Sequence, residues 1–395
     1  MLMESHRNLP TNAISFCLLP SELIQYIILQ LALPEIIRLK SVNKSISSLI
    51  SDRDFVRDYN LQSSSATWLF LYKKRWRREA VLYGFADSSN RWFNILIADL
   101  LKQVVPPGED VYFLTASGNI FLFALNNRQE VMSVDIMTRM VKKIPPSPLG
   151  PRGTSSWRRS GMKLLSCPSS SNHFRFLFAE LHESHPTLFE FDSRVERWQF
   201  MKGREVTQDL QGDFIFLSAS NGRNGSVIIA VRPQCNSTPV VIRPTFITRG
   251  NEENQLAVGF NWGNAIDLLH VYGDGNMITI RSGKVVDVNK TVRKIKGIEL
   301  WGLSTNGRYW ELVSRAPNDL IYKICKPYGA MMGCMQKGEG LTRAILMTNL
   351  EGTWDTIWLS YDKKDNQWAW LPLPDCKMKG SNLAGVTFSS GLTLS

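Results

Sequence analysis

Two textures of apolar and polar positions divide the chain. Between residues 18 and 50 the apolar positions form short helical blocks. Pro20-Ser21-Glu22 reads as a helix start with Ser21 as N-cap. The segment that follows, Leu23 to Leu31, is LIQYIILQL, in which only Gln25 and Gln30 are clearly polar. A helix apolar almost all round must be buried almost all round. Leu33-Pro34-Glu35 marks a break and a second helix start, with Pro in the first turn, ahead of Ile36, Ile37 and Leu39. Asn43 is placed to cap a third helix carrying Ile46, Leu49 and Ile50. Three short helices lie near the lower size limit for independent folding, yet these hold more apolar side chains than their own core can hide. Leaving four of them in water would forgo roughly 1.5–3 kcal/mol each. Either a permanent partner covers the surplus or the helices pack on the rest of this chain; the pattern alone leaves both open.

From about residue 66 the runs are short, rich in Val, Ile, Phe, Tyr and Trp, and set between turn residues. Val111–Leu114 and Ile120–Phe123, joined by Ala116-Ser117-Gly118-Asn119, predict a hairpin. Further strands are expected at Phe174–Phe178, Phe214–Leu217, Val227–Val231, Leu268–Tyr272 and Met277–Ile280. No long amphipathic helical pattern follows residue 100, and breaker clusters at Pro106-Pro107-Gly108 and Pro145–Gly153 punctuate the strands.

One motif recurs. Val134-Asp135 leads to Val141, Phe191-Asp192 to Trp198, and Tyr361-Asp362 to Trp368, the Asp always six residues ahead. Ile144-Pro145 and Leu371-Pro372 follow the first and the last at the same distance. Asp135 to Asp192 is 57 residues, and Asp192 to Asp362 is 170, near three such periods. A period near 50 in an all-β region predicts propeller blades, about six of them over residues 61–395.

Composition narrows the class. The chain has 395 residues, 44% hydrophobic and 10% aromatic, with 12 Trp, which suits packed β structure rather than disorder. No apolar stretch of about 18 residues predicts a membrane span. The opening MLMESHRNLPTNAIS lacks the apolar core of a secretory signal. Six scattered Cys without a C-x-x-C pair suit free thiols in a reducing compartment, cytoplasm or nucleus. The formal charge is +11, and residues 1–60 are neutral with six basic and six acidic residues, so the surplus lies beyond them. That favours acidic partners only weakly, and nucleic acid is not the expected ligand.

Candidate chemistry is sparse. His182-Glu183-Ser184-His185 is one residue short of the zincin spacing, which needs both His on one helix face, and it reads as a surface turn. No G-x-S-x-G, P-loop or G-x-G-x-x-G occurs, and no cofactor is expected. The basic run Lys73–Arg78, with Trp76 inside it, reads as a solvated face, a nuclear address or a phosphate-binding patch. The segment around Pro148–Gly161 is too rich in breakers for regular structure. Its Arg152, Trp157, Arg158 and Arg159 are typical interface anchors and predict a substrate-facing loop, unless Trp157 packs inward within a long blade connection.

Residues 18–59 resemble the F-box. The pattern is Leu19-Pro20-x-Glu22-Leu23, then Ile27, Leu29 and Leu31, Leu33-Pro34, Leu39, Val42, Lys44, Leu49-Ile50 and Phe55. Many members carry Cys before the Lys and Trp shortly after it, where this chain reads Val42-Asn43-Lys44-Ser45-Ile46. The remainder resembles the kelch-like propeller half of plant F-box proteins, as in Tyr361-Asp362-x5-Trp368-x2-Leu371-Pro372, though the Gly-Gly doublet of true kelch repeats is missing. The resemblance implies an α + β multidomain chain: a loose stretch at 1–15, a three-helix F-box at 16–60, and an all-β, kelch-like propeller of six blades at 66–392. It also implies an adaptor, not an enzyme. Such a subunit docks on the Skp-type linker of a cullin ubiquitin ligase and recruits a protein for ubiquitination. By the resemblance Leu19, Pro20, Leu23, Ile27, Leu31 and Val42 face or support the linker, whereas Leu39, Leu49 and Ile50 are core. Two other readings stay open: a propeller interaction module without a ligase role, whose helices pack internally, and a propeller oxidase holding copper.

Overall fold

A computed structural model describes residues 19–63, 66–74, 81–95, 97–125, 130–146, 148, 161–166, 173–183, 185–206, 210–220, 226–233, 237–247, 268–273, 276–287, 290–324, 327–328, 330–337, 340–350, 353–371 and 382–394. Four helices come first: α1 (Ser21–Leu29), α2 (Leu33–Leu39), α3 (Lys44–Ile50) and α4 (Arg53–Ser63). The expected starts hold with one correction. Asn43 caps α3, its Oδ1 accepting from the Ile46 N–H at 2.8 Å. Ser21, expected as the cap of α1, is instead its first helical residue; Pro20 takes the cap position and no side chain serves there. Pro34 sits in the first turn of α2, and Glu35 bends back to accept from the Ala32 N–H at 3.1 Å.

The rest is a ring of six sheets. Blade one holds β1 (Thr67–Lys74), β2 (Val81–Ala86) and β3 (Arg91–Ile95), and a short helix, α5 (Ala98–Lys102), follows. Blade two is β4 (Val111–Ser117), β5 (Ile120–Leu125), β6 (Glu130–Asp135) and β7 (Val141–Ile144). Blade three is β8 (Met162–Ser166), β9 (Phe174–His182), β10 (His185–Asp192) and β11 (Arg197–Lys202). Blade four contains β12 (Arg204–Glu205), β13 (Ile215–Ser220), β14 (Ser226–Val231) and β15 (Val240–Ile242). Blade five runs through β16 (Thr245–Phe246), β17 (Leu268–Gly273), β18 (Asn276–Asp287), β19 (Lys290–Leu303) and β20 (Tyr309–Arg315); after α6 (Asn318–Ile324), β21 (Pro327–Tyr328) pairs with β19. Blade six is β22 (Ala330–Lys337), β23 (Leu341–Leu350), β24 (Thr353–Asp362) and β25 (Gln367–Leu371). The last strand, β26 (Asn382–Ser390), returns to blade one, pairs antiparallel with β1 and lies beside β4 and β22, closing the ring.

The recurring motif marks one place in the fold. Asp135, Asp192 and Asp362 each end the third strand of a blade, and Val141, Trp198 and Trp368 each lie on the outer strand, across from the residue before the Asp. Each Asp accepts from the backbone two residues on, at Met137, Arg194 and Lys364. Four residues after each Asp the backbone turns left-handed, at Arg139, Glu196 and Asn366. Blade one carries the same hairpin with Ala86 at the Asp position, and blade five has one of the same length with Ser304 there and its left-handed residue at Gly307. Phe85-Ala86 leads to Trp92, with left-handed Asn90, and Leu303-Ser304 leads to Trp310. Blade four has no such hairpin: its outer strand is β12, which precedes the blade and runs parallel to β15.

The helices do not stand apart. Ile28, Leu33, Ile36, Ile46, Ile50, Phe55 and Tyr59 are buried in one cluster with Trp68, Phe70 and Tyr72 of blade one and Phe113, Phe121 and Phe123 of blade two. Glu35 pairs with Arg91 at 2.6 Å, and the Arg91 guanidinium lies over the Phe93 ring. The seam thus takes up one side of the helical surplus noted in the sequence.

Candidate functional site

The other side of the surplus stays in water. On α1, Leu23 is 50% exposed, Tyr26 64% and Ile27 41%; Ile37 on α2 is 41% exposed, and Val42 after α2 is 62% exposed. Positions 23, 26 and 27 share one flank of a helix by the 3.6-residue repeat, while 24 and 28 share another and Leu31 follows just past the end of α1. The inward set is Ile28, fully buried, with Ile24 and Leu31 packed against the cluster. An apolar stripe therefore runs along each side of α1, one under the propeller and one facing solvent.

Of the expected linker-facing residues, Leu23, Ile27 and Val42 are on this exposed face, Pro20 is exposed, and Leu19 is partly buried. Leu31 is half-buried against the shared core. Leu39 and Leu49, expected as core, pack partly buried on the same cluster, and Ile50 is fully buried. Tyr26 and Ile37, outside the expected set, share this exposed face. The i, i+3, i+4 relation of Leu23, Tyr26 and Ile27 is the signal that would have found Tyr26. On another flank of α1, Gln25, Lys44, Ser48, Leu49, Asp52 and Phe55 line an open groove, as apolar as it is polar, between α1, α3 and α4.

Elsewhere the titrating groups read as structural. Burial, reinforced by the Glu35 carboxylate, pushes the Tyr59 hydroxyl well above its ordinary pKa, so the seam holds a neutral phenol. Asp192 is lowered: burial works to raise it, and the Arg194 N–H with the His173 imidazole at 3.0 Å outweighs that. His182 and His185 face each other across the β9–β10 turn, both exposed. Among the described residues no group of three His, Cys, Asp or Glu could hold a metal ion, and no helix is long and apolar enough to cross a membrane.

Arg152, Trp157, Arg158 and Arg159 lie outside the described residues, as do Arg75 to Arg78 of the basic run. The strands flanking the former set are described. The Ser117 and Ser166 hydroxyls meet at 2.8 Å, and the Gly118 N–H reaches the Ser390 carbonyl at the end of β26, so β4, β8 and β26 all finish on the helix-bearing face. Hence β7 ends and β8 begins on the opposite, far face.

Residues 16–58 match the family model for the F-box domain. The chain carries an F-box. The match spans α1, α2 and α3 and enters α4, so the exposed apolar stripe is a feature of the F-box and the seam is an F-box–propeller contact. No curated protein was found to match the chain. Among solved structures, the β-propeller domain of the Trilobed protease from Pyrococcus furiosus is similar at 12% identity and a TM-score of 0.32, over 77% of this chain and 83% of that one.

Proposed function

We propose that the chain is the substrate-recognition subunit of a Skp–cullin–F-box ubiquitin ligase, an adaptor that catalyses nothing itself. The observation that carries this reading is the solvent-facing stripe of Leu23, Tyr26, Ile27, Ile37 and Val42 on a segment matching the F-box. Exposed apolar surface of this kind on a helical face calls for a partner, and the seam with the propeller leaves it uncovered. The Skp-type linker, and through it a cullin, is the partner proposed. The propeller supplies a rigid scaffold for holding a protein target, and the hairpin signature of blades two, three and six supports a kelch-like type close to the plant members. We place the protein in the cytoplasm or nucleus, on its scattered cysteines.

The test is a pull-down of the full chain against a Skp-type linker, beside Leu23→Asp/Ile27→Asp. Because Leu23 and Ile27 are only about half exposed, folding stability should fall by about 1 kcal/mol per site, while loss of central apolar anchors should weaken linker binding by about 30-fold or more. A folded wild type that ignores the linker ends the ligase reading. The runner-up then takes over: a propeller interaction module whose helices serve only to pack on blades one and two, a role favoured by their shared core. Extended to target capture, the same experiment addresses Arg152, Trp157, Arg158 and Arg159, which lie in the sequence between β7 and β8 and which we propose contact the target. Trp157→Ala/Arg158→Ala should lose captured proteins and keep the linker; unchanged capture rejects that assignment.

A further inference from the structure

We infer that Gly391–Leu394, the residues after the closing strand, are a strap that locks the F-box onto blades one and two and makes F-box and propeller one rigid body. Two asparagines grip successive residues of it. Asn60 of α4 donates from Nδ2 to the Leu394 carbonyl at 2.9 Å and accepts the Leu394 N–H on Oδ1 at 2.7 Å. Asn119, in the β4–β5 turn of blade two, does the same to Thr393, at 2.8 and 3.0 Å, and its Nδ2 also reaches the Thr393 hydroxyl at 3.0 Å. Each side-chain amide thus holds both polar groups of one strap residue. Leu392 and Leu394 are 1% and 3% exposed, inside the cluster that joins the helices to the propeller. The Gly391 N–H donates to the Ala66 carbonyl, just ahead of β1. The strap therefore touches α4, the α4–β1 junction and blade two together.

Two further features hold the parts close. Only three positions, 64–66, lie between the end of α4 and the start of β1. The Glu35–Arg91 pair, at 2.6 Å, ties α2 to the β2–β3 hairpin as a second tether. On the ligase reading the strap fixes the direction in which the far face points from the linker-binding stripe; the locking itself does not depend on that reading.

Hydrogen exchange on the full chain, followed by mass spectrometry, tests it. The amides of α4 and of residues 391–394 should be protected to about the level of β1. Asn60→Ala with Asn119→Ala removes five hydrogen bonds and should speed exchange in the strap and in α1–α4 by about tenfold or more, leaving blades three to five unchanged. The linker affinity of the exposed stripe should stay the same. Free-peptide exchange of the strap in the wild type overturns the inference, as does a double variant with unaltered protection. Wild-type protection alone decides if the double variant fails to fold. A protected strap in a chain that binds no linker leaves the strap standing and removes only the ligase reading.

Discussion

The outer-strand tryptophans show how one position does different work in different blades. Trp198 packs on Phe191, Trp368 on Tyr361 and Trp92 on Phe85, with ring centroids 5.5, 5.2 and 5.1 Å apart. Trp198 donates to the Pro145 carbonyl at 3.1 Å and Trp368 to the Ser314 hydroxyl at 2.8 Å, each reaching into the preceding blade. The Trp92 indole N–H is buried with no hydrogen-bond partner among the described residues. An unmet buried donor already bears its desolvation cost, so removing it costs little, whereas removing a paired one forfeits the bond. Trp198→Phe should therefore destabilise by about 1 kcal/mol more than Trp92→Phe, read as urea midpoints at constant m-value. The same hairpins show what a sequence hides. With Asp at 135, 192 and 362 three blades are legible. Ala86 and Ser304 break the pattern in blades one and five, although the backbone there makes a hairpin of the same length.

At the scale of elements, strand texture was readable and strand provenance was not. The expected β4–β5 hairpin, and strands in blades three, four and five, fall where alternating apolar runs meet turn residues. Nothing in Arg204-Glu205 announces that two residues ahead of blade four will form its outer strand, because parallel pairing with Val240-Val241 is set by distant partners. On α1 the apolar excess was legible, but its division between two stripes was not, since that depends on which flank meets Trp68 and Phe70. The closing strand depends on one close approach. A Cβ at Gly385 of β26 would lie 2.4 Å from the Phe113 carbonyl oxygen of β4, a backbone atom that cannot swing away. Gly385→Ala should force these two strands apart at about 1–3 kcal/mol or more, lowering the urea midpoint. An unchanged midpoint would mean the two strands lie farther apart than described.

For the whole molecule, the F-box and the propeller share a core that no local pattern could reveal, since Asn60 and Asn119 find their partners 334 and 274 residues away. The two parts can be watched separately. All 12 Trp lie beyond residue 66, while the four helices of the F-box region carry most of the helical residues. Tryptophan fluorescence and the helical dichroism signal should therefore give one common urea midpoint. Ile28→Ala, which empties a fully buried site at the seam, should lower both together, by about 2–5 kcal/mol. Separate midpoints would contradict the shared core. The closing strand also sets a clock. A ribosome that has delivered residue 371 has made every helix and every other strand described, yet β1 still presents a bare backbone edge where β26 belongs. Blades one and two and the helices above them, synthesised first, are completed last. A nascent chain interrupted shortly before residue 382 would carry its F-box on an open ring, with a sticky edge that invites chaperones or aggregation.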